Sequence, residues 1–140
     1  MKLSLEPLSK AIVQLESSLS YYHSDVVQSD PGLVKQLRAA AIQAFEFTYA
    51  LSWKMLKRYL KMTEADPQAT ESLSFQDLIR TGLDKGLVSS DVKTWNQYRQ
   101  ERGTISHTYD ELKAQEIFDS IPKFLKEAKY LLAQLQTRVK

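Results

Sequence analysis

Apolar residues recur every three or four positions along most of the chain, the spacing of helices with one buried face. Leu8, Ile12, Leu15, Leu19 and Tyr22 predict a first helix from about Leu5 to His23. Pro7 suits its first turn, and His23 reads as a cap at its end. Ser29-Asp30-Pro31 ends that element and caps the next, which is predicted from about Pro31 to Thr63. Leu37, Ala41, Phe45, Thr48, Ser52, Met55 and Tyr59 form its near-heptad track, and Ile42, Tyr49, Trp53, Leu56 and Leu60 broaden it. An apolar face that wide implies more than one packing neighbour.

Residues 65–72 contain Asp-Pro-Gln, lack periodicity and are expected to form a loop. Ser74 is expected to cap a third helix, Phe75 to Lys85, stopped by Gly86. Ser89 or Ser90 is expected to cap a fourth, from Asp91 to about Arg102, with Val92, Trp95 and Tyr98 or Arg99 along one side. Gly103 reads as its stop. Thr108-Tyr109-Asp110-Glu111 has the Thr-x-x-Glu pattern of a capping box and starts a fifth helix. Pro122, preceded by Ser120, is expected to kink or briefly break that helix. The pattern predicts an all-α fold: one domain over residues 1–140, a mostly antiparallel bundle of four or five helices.

The bulk numbers narrow function mainly by exclusion. A chain of 140 residues, 43% hydrophobic and 26% charged, suits one domain with a real core. A net charge of +2 does not argue for nucleic acid by itself. The absence of cysteine rules out disulfides, thiol catalysis and thiolate metal sites, and fits a cytoplasmic location. The N-terminal residues lack a signal-peptide pattern, and no apolar run is long enough to span a bilayer. With two histidines, no glycine-rich phosphate loop and no nucleophile elbow, neither a metal nor another cofactor is expected.

One string carries candidate chemistry: Arg102, Gly103, Thr104, Ile105, Ser106 and His107, with Tyr109 two positions on. On one straight helix, residues five apart point about 140° away from each other. A stop at Gly103 and a restart at Thr108 remove that divergence. Arg102 then ends one helix beside the start of the next, where free amides favour an anion. A guanidinium grips phosphate oxygens, an imidazole moves protons near neutrality, and the Ser106 and Thr108 hydroxyls add donors. The competing reading has Arg102 and His107 capping carbonyls or pairing with Asp110 and Glu111. The cations Lys54, Lys57, Arg58 and Lys61 read as a solvated face complementing the helix dipole, and Lys123, Lys126 and Lys129 as another solvated face. Trp53, Trp95 and the tyrosines read as core and interface.

Three stretches resemble a known family. They are residues 44–60 (AFEFTYALSWKMLKRYL), residues 74–80 (SFQDLIR) leading to Gly86-Leu87-Val88, and Trp95 through Arg102 to Ser106-His107-Thr108-Tyr109-Asp110-Glu111. The chain, from about Leu37 to its C-terminus, resembles the nucleotidyltransferase substrate-binding subunits, a HepT-like branch of the HEPN superfamily. The resemblance implies a helical homodimer with the Arg-His motifs of two subunits lining a shared cleft. It implies a minimal nucleotidyltransferase as partner and a nucleotide or RNA as ligand. One form of it makes this chain the non-catalytic, substrate-binding half. Another makes it the toxin of a toxin–antitoxin pair, a metal-independent ribonuclease in which Arg102 and His107 act on the scissile phosphate and Tyr109 accepts AMP from the silencing partner. Family members commonly carry a polar residue, often Asn, after the motif arginine, where this chain has Gly103; that weighs against the ribonuclease form. A third reading makes the Arg-His pair purely structural, stabilising a dimer.

Overall fold

The computed structural model describes residues 3–103 and 110–139. Seven helices occur among them: α1 (Glu6–Tyr22), α2 (Asp25–Gln28), α3 (Pro31–Thr63), α4 (Pro67–Glu71), α5 (Phe75–Asp84), α6 (Val92–Gly103) and α7 (Glu111–Arg138). No strand occurs among the described residues, and the fold is all-α.

The long helices α3 and α7 run side by side in the same direction. Arg38 reaches Glu111 and Gln115 near their starts, and Phe45 meets Phe124 further along. α1 lies antiparallel to α7, since Glu16 pairs with Lys129 and Tyr22 meets Phe118. α6 is antiparallel to both long helices: Tyr49 meets Trp95 while Glu46 meets Arg102, and Phe124 meets Tyr98 while Ser120 meets Glu101. The core where they converge is aromatic. The Phe124 ring stands edge-on to Phe45, Trp95 and Tyr98, at centroid distances of 5.2, 6.2 and 5.1 Å, a favoured arrangement for rings.

Local signals account for most boundaries. Asp30 caps α3 through the Gly32 and Leu33 amides, and Ser74 caps α5 through the Asp77 amide. Gly86 takes φ +74° beyond the end of α5, a conformation that disfavours any side chain. The polar members of the α3 track are buried and satisfied locally: Thr48 donates to the Ala44 carbonyl at 2.7 Å, and Ser52 to that of Thr48 at 2.7 Å.

Four expectations change. Residues 65–72 are not all loop, because Asp66 accepts from the Gln68 and Ala69 amides and starts α4. The short α2, capped by Ser24, also went unforeseen. Neither Ser89 nor Ser90 caps α6; Asp91 does, accepting from Thr94 N–H at 3.0 Å. The two serines turn inward instead. The buried Glu127 carboxylate accepts from Ser89 N–H, Ser89 Oγ and Ser90 N–H at 2.9, 2.8 and 2.7 Å. Finally, α7 continues through Pro122 without a break. Burial of Ile121, Phe124 and Leu125 on the core holds the helix together across the missing amide.

Candidate functional site

Arg102 sits in the last turn of α6. The antiparallel packing of α6 on α3 carries it back along α3 to Glu46, where Nη2 stands 3.6 Å from Oε1. Both side chains are close to half exposed, so this long pair holds the guanidinium weakly. Arg102 borders two clefts. One lies between α1 and α3, over Gln14, Gln43, Glu46 and the exposed Phe47. The other is lined by Tyr49, Trp53, Lys54 and Lys57 of α3, Phe75 and Leu78 of α5, and Arg99 and Gly103 of α6.

Asp110 and Glu111, the sequence's alternative partners for Arg102, are engaged elsewhere. Asp110 caps α7 through the Leu112 and Lys113 amides. Glu111 accepts from Arg38 at 2.6 Å, with Lys35 at 3.7 Å; the Arg38 hydrogen bond holds its carboxyl below the ordinary range. Ser106, His107, Thr108 and Tyr109 lie outside the described residues. The expected capping box does not open the last helix: α7 begins at Glu111 with Asp110 as its cap, whereas a Thr108 cap would make Glu111 the third helical residue. His23 caps α1 with its backbone amide and sets its ring edge-on to Tyr22, and it lines neither cleft.

The second cleft holds residues whose role the sequence did not reveal. Lys54 and Lys57 read as solvated surface, yet they line it, and the Lys57 side chain is 26% exposed. Glu71 pairs with Lys61 at 2.8 Å and more loosely with Lys57 at 3.6 Å. Arg99 packs its guanidinium over the Phe75 ring at 5.1 Å, and Lys54 sits 5.8 Å from the Trp53 ring. Tyr49 is 3% exposed, and its hydroxyl has no hydrogen-bond partner among the described residues. Burial pushes that phenol up to about 12, although the charges of Arg99 and Arg102 pull the other way. The signal available in the sequence was the i,i+3 spacing of Lys54 with Lys57 and of Arg99 with Arg102, which puts each pair on one helix face.

The family model for nucleotidyltransferase substrate binding protein-like chains matches residues 3–137. The chain belongs to this family. A Haemophilus influenzae protein named probable ribonuclease HepT is 37% identical over 139 residues, covering 98% of this chain and 94% of that protein. A solved H. influenzae structure, described as showing the fold of a substrate-binding domain of a nucleotidyltransferase, superposes with a TM-score of 0.89 at 36% identity, covering 95% of this chain and 99% of that one. A crystal structure of a Thermus thermophilus protein matches with a TM-score of 0.71 at 28% identity over 91% of this chain and 98% of its own. The nucleotidyltransferase substrate-binding family therefore accounts for the fold at nearly full length. No helix among the described residues is long and apolar enough to cross a membrane.

Proposed function

We propose that this chain is the ligand-binding subunit of a two-protein nucleotidyltransferase, and that it holds a phosphate-bearing ligand at the Arg102 end of α6. Arg102 carries the reading. It is a permanent cation, half exposed, and among the described residues it borders two clefts and is held by one long ion pair. Following it in sequence, Ser106, His107 and Thr108 supply further donors to the same ligand. The partner is a minimal nucleotidyltransferase, which carries the transfer chemistry, and the subunit works as a homodimer. The test is calorimetric titration of the purified chain with AMP. Arg102→Ala should weaken binding by about tenfold or more with the fold intact; equal affinity in the two proteins would sink the reading.

A second reading is favoured by the name of the H. influenzae relative, probable ribonuclease HepT. Here the chain cleaves RNA without a metal. The ribose 2′-oxygen attacks the adjacent phosphorus, the bond from phosphorus to the 5′-oxygen breaks, and a 2′,3′-cyclic phosphate and a 5′-hydroxyl result. His107 moves the proton, and Arg102 balances charge on the phosphate. Tyr109 is then the residue to which the partner transfers AMP, in a toxin–antitoxin pair. Cleavage in EDTA by the wild type and not by His107→Ala would establish it, and no cleavage by either would leave the binding subunit.

A further inference from the structure

We infer that the groove between α3, α5 and α6 beside Arg102 is a polyphosphate subsite, so that the ligand is a compact multi-phosphate anion of the nucleoside triphosphate class. The inference rests on the proposed reading that Arg102 meets a phosphate, and adds a second, separable set of contacts to it.

The groove encloses about 500 Å³, within the range of small-molecule sites. Four cations line it, Lys54 and Lys57 from α3 and Arg99 and Arg102 from α6, and no carboxylate does so among the described residues. Each helix contributes its two at i,i+3, a rise of about 4.5 Å, so two pairs flank one space. A single phosphate does not call for four cations, whereas a chain of two or three phosphates does.

The rings in the wall stabilise the cations rather than offering free faces to a base. Phe75 is covered by Arg99 and Trp53 by Lys54. Tyr49 is the independent observation. Its hydroxyl is buried in the lining, unpartnered among the described residues, and close enough to Arg99 and Arg102 to feel their charge. A buried phenol without a partner is costly, and a phosphate oxygen brought in by those two guanidiniums would accept from it.

Two borders of the groove carry acidic groups. Glu71 stands 3.6 Å from Lys57, and Glu46 stands 3.6 Å from Arg102. A polymer running on past either border would meet a carboxylate, but a short anion held between them would not. This favours a triphosphate-like ligand over a nucleic-acid strand.

The test titrates the full chain calorimetrically with tripolyphosphate, with orthophosphate and with a single-stranded oligoribonucleotide. Wild type should bind tripolyphosphate about a hundredfold more tightly than orthophosphate. The double variant Lys57→Gln/Arg99→Gln should shrink that ratio to about tenfold or less, because it loses far more affinity for tripolyphosphate than for orthophosphate. Tyr49→Phe should bind tripolyphosphate about tenfold more weakly yet melt no lower than wild type, because it removes an unsatisfied buried group. A purely structural tyrosine would give the opposite pattern. Equal affinity for the two inorganic anions, or a double variant that behaves as wild type, overturns the subsite and leaves Arg102 standing. An oligoribonucleotide that displaces tripolyphosphate, with a salt slope steeper than about −3, overturns it in favour of a strand. No anion binding by wild type overturns both.

Discussion

Glu127 and Arg102 each place a charge on a helix beside the aromatic core, and their surroundings differ in almost every respect. Glu127 is 2% exposed, and its two oxygens take three donors from the segment that enters α6. Arg102 is about half exposed and has one ion pair among the described residues, at 3.6 Å. Taking a carboxylate out of water is costly unless its lone pairs are filled, and at Glu127 they are filled by the chain itself. What the carboxylate does there is fix the turn before α6, and through it the direction in which α6 delivers Arg99 and Arg102. A charge saturated inside the protein builds; a charge left unsaturated at a cleft is available to something from outside.

The sharpest way to break this contrast is to remove each charge in turn. Glu127→Ala orphans two amides and a hydroxyl and should cost about 3 kcal/mol of stability, read by urea denaturation. Glu127→Gln keeps one acceptor oxygen and should cost less. Arg102→Ala should change stability by no more than about 0.5 kcal/mol while abolishing or weakening phosphate binding. If Arg102→Ala proved the more destabilising of the two, Arg102 would be structural and the contrast void. Phe124→Ala probes the layer on which both depend and should cost about 4 kcal/mol, since Phe45, Trp95 and Tyr98 all lose their edge-on partner.

Gly103 sharpens the comparison from the ligand side. An added Cβ there meets no described atom within 4 Å, and the residue has no left-handed φ. Gly103→Asn should therefore fold as wild type, and a small gain of about 0.3 kcal/mol is expected from the better helix former. Under the ribonuclease reading, this variant should also cleave RNA faster than wild type in EDTA.

The apolar period placed α1, α3 and α5 almost residue for residue, because each is an amphipathic stretch with a Pro, Asp or Ser at its start. Elements too short to show a period, α2 and α4, were invisible except as Ser24 and Asp66, residues that serve turns and caps alike. The misread Ser89 and Ser90 have a physical reason: a serine before a helix caps it only if nothing stronger competes, and Glu127, 37 and 38 residues away, competes. The same limit applied to the site. Arg102 stood out because it begins a local string, but Lys54, Lys57 and Tyr49 join it only through packing of α3 against α6, and no local pattern reports that.

Acid titration offers the finest test, since two glutamates near the ends of α6 and α7 should respond oppositely. Burial raises the Glu101 carboxyl above 4.5, partly offset by its hydrogen bond from Ser120. A raised acid favours the folded state when protonated. Its contribution is therefore complete below the unfolded value near 4.5 and is lost as pH rises through the higher folded value. Glu111 is lowered, chiefly by the Arg38 hydrogen bond, so its contribution is present above 4.5 and is lost as pH falls through the folded value. Glu101→Gln should flatten the loss of stability on the neutral side of pH 4.5, and Glu111→Gln should flatten the loss on the acid side. Both are read from urea midpoints between about pH 3 and pH 7, and both slopes should be small beside the Glu127→Ala effect. A Glu101→Gln variant with an unchanged slope above pH 4.5 would mean that the carboxyl stays as well solvated in the folded chain as in the unfolded one. The α6–α7 contact next to Arg102 would then be wetter than the Ser120 hydrogen bond implies.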